Sequence, residues 1–160
     1  MPDARSAALS VLNRCFSGGA WSQQLINSAV AGMERREAAL ASRLVLGVLQ
    51  NFMLLDYGID ALLSGKKKLD LPVRNILRMG AYQILFNDRI PARAAVNESV
   101  SLCRKSGFSS AFGLVNAVLR KISSGEVDEP VDLSIRYSHP EWFVETMIAR
   151  HGREFTEALL

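Results

Sequence analysis

A chain of 160 residues, 49% apolar and 22% charged, holds enough for one buried core and is too apolar to be disordered. Two cysteines and two histidines leave little for a disulfide framework or a His/Cys metal centre. The net charge of +3 hides a division: residues 1–125 carry 16 basic and 8 acidic side chains (+8), residues 126–160 carry 3 and 8 (−5), an asymmetry that marks segments with different partners.

The elements read in chain order are all helical. The first covers roughly residues 3–16, with Ala4, Ala7, Ala8, Val11, Leu12 and Cys15 on one face, and stops at Gly18-Gly19. A short helix follows over about 22–32, with Ser22 as its N-cap. The longest runs over about 35–63, with Leu40, Leu44, Val48 and Phe52 inward, a bend at Tyr57-Gly58 and an end at Ser64-Gly65. Lys66, Lys67 and Lys68 form an exposed loop, and Trp21 packs inward at the turn after the first helix. Pro72 then opens a helix in its first turn, with Val73, Ile76, Leu77, Ala81, Ile84 and Leu85 as its buried stripe. Gly80 faces inward there, which predicts a helix crossing closely.

Ile90-Pro91 separates that helix from one over about 92–106, which Gly107 ends. Ser109 or Ser110 caps the next, reaching Ile122. Residues 126–132, acidic with Gly, Ser and Pro around them, read as a solvated tether. Ser138 to Glu141 fits the S-x-x-E capping box ahead of Trp142, Phe143, Met147 and Ile148. The Trp142 stripe is expected to be exposed and prone to self-association. The pattern stops on Leu159-Leu160 in mid-stripe and reads as truncated.

Function is sought in the basic half. Arg74 and Arg78 lie four residues apart on one face, Arg89 and Arg93 bracket the Ile-Pro break, and Arg104, Lys105, Arg120 and Lys121 stand at helix ends. No acid is adjacent to most of them, so a polyanion is the expected partner. The candidate phosphate contacts are Arg5, Arg14, Arg74, Arg78, Arg120 and Lys121. Tyr57 and Tyr82 read as lining the core edge rather than stacking on bases. Asn97 and Asn116 read as helix-to-helix hydrogen-bonding groups, and Glu98 as the partner of Arg93 or Arg104. Cys15 and Cys103 read as small buried hydrophobes.

The run LRMGAYQILFNDRIPARAAVNESVSLCRKSGFSSAFGLVNAVLRKI, with the earlier ASRLVLGVLQN and LLDYGIDALL, resembles the all-helical domain of the NusB family. Arg120-Lys121 and the distal YSHPEWFV look like the N-terminal part of bacterial 16S rRNA (cytosine-C5) methyltransferases of the RsmB (Sun/Fmu) type. The resemblance implies a NusB-like helical RNA-binding domain over 1–125, a linker over 126–137, and the start of a methyltransferase region over 138–160. It implies a role in recognising small-subunit rRNA, with the chain's own methyltransferase domain as a further partner. It implies S-adenosylmethionine as cofactor of the full-length enzyme and none for these residues: the family's Gly-rich turn and its Pro-Cys and Thr-Cys settings are absent. No catalytic residue, cofactor contact or metal ligand is therefore carried over.

Two alternatives remain open: a free-standing NusB-type antitermination factor, and a protein-binding helical scaffold. A cytoplasmic location without membrane contact is expected, since uncharged runs fall short of about 20 residues and the N-terminus lacks the order of a signal peptide.

Overall fold

Every element in the computed structural model, which describes residues 2–19, 22–63, 65 and 68–160, follows from a helical stripe finding a neighbour. Nine α-helices and one 3-10 turn occur among the described residues: α1 Ala4–Gly18, α2 Ser22–Val30, α3 Arg35–Leu62, α4 Leu71–Phe86, α5 Ala92–Lys105, the turn Ser109–Ala111, α6 Phe112–Ser123, α7 Leu133–Tyr137, α8 Glu141–His151 and α9 Arg153–Leu159. No strand occurs among them. The expectations for Trp21, Ser64, Lys66 and Lys67 lie outside the described residues.

Local chemistry sets the ends. Asp3 caps α1 by accepting from the Ser6 N–H at 2.8 Å, and Gly19 closes it in the left-handed region at φ 63°. Glu34 caps α3, its Oε2 accepting from the N–H groups of Arg36 and Glu37 at 3.0 and 3.4 Å. The helix runs continuously through Tyr57-Gly58 to Leu62.

Helices α1, α3, α4, α5 and α6 supply one core, in which Leu12, Leu44, Leu55, Ile76, Leu77 and Leu119 are fully buried. Helix α3 has the length and composition of a membrane span, but its Leu44, Val48 and Leu55 face this core. Cys103 is buried and Cys15 half-buried, and burial pushes both thiols up.

The inward glycine is where α4 meets α5 and α6. A Cβ on Gly80 would lie 2.6 Å from Leu119 Cδ1 and 2.7 Å from Ser99 Oγ. Gly80→Ala is expected to lose up to about 2 kcal/mol, the difference between overpacking at about 1–3 kcal/mol and the ~1 kcal/mol of helix propensity gained. Gly58→Ala, with nothing within 4 Å of its added methyl, should instead stabilise. Urea unfolding of the two variants checks both signs.

Residues 126–132 stay largely exposed, as read from composition, and the chain settles on the bundle at Pro130 and just after them. Pro130, Leu133 and Ser134 are buried, α7 packs on α3, and Asp132 caps α7 by accepting from the Ser134 N–H at 2.8 Å. Arg136 pairs with Glu129 and Glu157. Two buried apolar residues, Pro130 and Leu133, and the paired Arg136 anchor the segment among the surrounding acids.

The capping box is also replaced. Pro140 occupies the N-cap position of α8, and Ser138 sits two residues too early to reach its first turn. Ser138 ends α7 at φ 54°, and its Oγ accepts from the Leu54 N–H of α3 at 3.3 Å. The extension is thereby clasped to the bundle. Beyond it, Trp142, Phe155 and Leu159 are exposed, while Phe143, Met147 and Ile148 of the Trp142 stripe are half-buried, so the expected exposure holds for Trp142 alone.

Candidate nucleic-acid interface

The six expected phosphate contacts divide into those spent inside the fold and those left outside. Arg78 is 7% exposed; its Nε and Nη2 donate to Asp56 at 2.8 and 2.7 Å, and its Nη1 to Asn75 Oδ1 at 2.9 Å. Its guanidinium lies 4.1 Å from the centre of the Phe16 ring. Arg74 donates to Asp56 at 3.2 Å and Asp60 at 2.9 Å. Burial works against the charged form of Arg74, and the hydrogen bonds to the two carboxylates more than offset it, so its pKa is raised.

These contacts correct the reading of Arg74 and Arg78 as bases without acidic neighbours. Asp56 and Asp60 are 14 to 22 residues upstream, one turn apart on α3, and meet the arginines only because α3 packs on α4. Arg5 is engaged too, its Nη2 donating to Gln83 Oε1 at 3.1 Å beside Glu98 at 3.9 Å. Glu98 thus faces Arg5 rather than Arg93 or Arg104. Lys105 pairs with Asp3, and this hydrogen bond above all holds the Asp3 carboxyl down to about 2.

Arg14, Arg120 and Lys121 are exposed and form no ion pair among the described residues. Of these, Arg120 belongs to a shaped site. Arg93, Val96 and Asn97 of α5 (i, i+3, i+4) face Arg120, Ser123 and Ser124 of α6 at the same spacing across a crevice of about 330 Å³. Buried Val96 is its apolar floor, and no carboxylate lines it. Ser124 Oγ donates to the Arg120 carbonyl at 2.9 Å.

The same two flanks continue to the other end of the helix pair. Arg104 lies 4.8 Å from the centre of the Phe112 ring, and Phe112 is 45% exposed. Arg93, Asn97 and Arg104 follow one another along α5, and Phe112, Asn116 and Arg120 repeat every fourth residue on α6. The track is about 16 Å long at 1.5 Å per residue. It offers three guanidinium groups, two amides and one aromatic face, and α6 contains no acidic residue at all.

Chemically, such an arrangement can hold an anionic backbone and leaves an aromatic face free for stacking. Sequence spacing missed Arg93, Arg104, Asn97 and Phe112 as a unit. The legible signal was the absence of acids from α6 opposite an i, i+4 Arg/Asn pair. Tyr82 packs its ring against Gly47 and stacks on Phe86 at 5.6 Å, as a core-edge residue does.

Comparison with known proteins places these helices. The NusB family's sequence model matches residues 2–124. A probable ribosomal RNA small subunit methyltransferase B of Bacillus subtilis (strain 168) is 32% identical over 97% of this chain and 37% of its own length. The transcription antitermination protein NusB of Anaeromyxobacter dehalogenans (strain 2CP-1) is 36% identical over 58% of this chain and 66% of its own. Among solved structures, that of the antitermination factors NusB and NusE in complex with dsRNA contains a similar chain. Its TM-score is 0.69 and its identity 26%, covering 76% of this chain and 94% of that one. The chain therefore spans little more than a third of the methyltransferase relative it matches. A methyl-donor fold needs a Gly-rich turn after a strand, and the described residues, which contain no strand, do not fit such a group.

Proposed function

Since the chain belongs to the NusB family, we propose that it is the RNA-recognition module of an rRNA cytosine-C5 methyltransferase and acts in the cytoplasm. The observation that carries this reading is the acid-free track of Arg93, Arg104, Phe112 and Arg120 on α5 and α6. Residues 1–125 would grip small-subunit rRNA, and 126–137 would link them to a methyltransferase region beginning at 138. Holding the RNA raises the effective concentration of the target cytosine at an S-adenosylmethionine-dependent site elsewhere in a longer protein. The contact set becomes Arg14, Arg93, Arg104, Arg120 and Lys121, and it leaves out Arg5, Arg74 and Arg78 because the fold already uses them. The exposed Trp142, Phe155 and Leu159 supply an apolar face for that methyltransferase region or for a second copy.

A second reading, a free-standing antitermination factor, is favoured by the 94% coverage of the NusB chain in the RNA complex. Against it, residues beyond 124 fall outside the family match, whereas 97% of the chain aligns with the Bacillus subtilis methyltransferase. Titrating a labelled single-stranded RNA from small-subunit rRNA against the chain at several salt concentrations tests the proposal. Five neutralised phosphates give a log–log slope of roughly −3.5; a slope near zero removes phosphate contacts from the account.

A further inference from the structure

A second concave surface lies where the bundle meets the clasped extension, and its chemistry is the reverse of the basic track. The groove holds about 860 Å³, within the range of ligand sites. Its floor is apolar, from Leu49, Leu54 and Leu55 of α3. At its mouth Leu85 and Phe86, the last two residues of α4, are left 49% and 46% exposed. Two adjacent large apolar side chains in water at a groove are a recognisable docking feature.

The opposite rim decides what docks. It comes from the −5 segment and presents Asp128, exposed and in no ion pair among the described residues, beside Glu129, whose carboxylate Arg136 engages. Arg136 is the one arginine or lysine among the described lining residues, and Glu129 and Glu157 already hold it. A phosphate chain is repelled from such a rim, while a positive side chain gains there. We infer that this groove binds a basic amphipathic helix of another protein, its apolar residues on Leu85 and Phe86 and its lysines or arginines toward Asp128. This is a helix-in-groove mode with charge complementarity fixing its polarity. It is independent of the RNA reading, since it uses neither α5 nor the α6 arginines.

The test is fluorescence anisotropy with a fluorescein-labelled leucine/lysine peptide of about 14 residues, long enough to form an amphipathic helix on a surface. A leucine/glutamate peptide of the same pattern is the control. The expected result is saturable binding of the lysine peptide only. It should weaken about tenfold in Leu85→Ser/Phe86→Ser, and at least about threefold in Asp128→Lys. Leu85→Ser alone, at a half-exposed position, should show an intermediate loss with an unchanged melting curve. Trp142→Ser should leave binding intact. No binding by the unaltered chain, equal binding of both peptides, full affinity in the double variant, loss confined to Trp142→Ser, or displacement by a single-stranded RNA would each overturn the assignment.

Discussion

Replacing Asp56 by alanine is expected to destabilise the protein by about 3 kcal/mol, the lower end of the range for breaking a buried ion pair. The carboxylate accepts two hydrogen bonds from Arg78 and one from Arg74. Without it, a guanidinium that is 7% exposed keeps only Asn75 and the Phe16 ring. Neither compensates a desolvated charge. For a chain of this size the loss lowers Tm by roughly 6–12 °C. Asp60→Ala makes the contrast, because Asp60 is 58% exposed and meets only Arg74; it should cost less than about 1 kcal/mol. Adding Arg78→Met to Asp56→Ala should recover part of the stability, because removing both partners leaves no orphaned charge. Calorimetry on the three variants decides. A loss for Asp56→Ala no larger than that for Asp60→Ala would mean that the Arg78 pair contributes nothing to the fold.

Reversing Arg93 and Arg120 together to glutamate is expected to weaken RNA binding by roughly a hundredfold at 0.1 M salt and to leave the melting temperature unchanged. Both side chains are exposed and line a crevice without carboxylates, so no internal partner is lost. Two phosphate contacts are removed, and the log–log salt slope should become shallower by about 1.4. The slope is the more discriminating readout, because a general charge effect lowers affinity without removing two specific counterion releases. Arg150→Glu on α8, exposed but in the acidic extension, is the matched control and should leave affinity unaltered. Equal losses in the two proteins would dissolve the α5–α6 track as a site. Arg74→Glu, by contrast, should act on stability rather than on RNA, since it sets a third acid against Asp56 and Asp60.

The placement of Arg5 bears on how these experiments are read. Its Nε is buried and has no hydrogen-bond partner among the described residues, although Nη2 reaches Gln83. Loss of RNA affinity on changing Arg5 would therefore mix folding with binding, and Arg14 and Lys121 are the cleaner neighbours to test.

Much of the architecture was legible because helical order is local. Apolar recurrence at three and four residues located α1 and α3 to α6, and Gly and Pro marked most of their ends within one helical turn. Gly80 could be read as a crossing point because a glycine on a buried stripe leaves room that another helix fills. The division of charge at residue 125 likewise needs no coordinates. What the sequence could not rank was the arginines. All of them look alike along the chain, and whether one is free depends on which helix packs beside it and at what height. Asp56 and Asp60 reach Arg74 and Arg78 through the α3–α4 packing, Glu98 reaches Arg5 across 93 residues, and Arg93 meets Arg120 only where α5 and α6 lie side by side. Ser138 shows the same limit: a four-residue pattern suggested a cap, while a donor 84 residues away took its hydroxyl. Spacing along one helix fixes which residues share a face, but only the register between packed helices decides which charges are satisfied and which remain for a ligand.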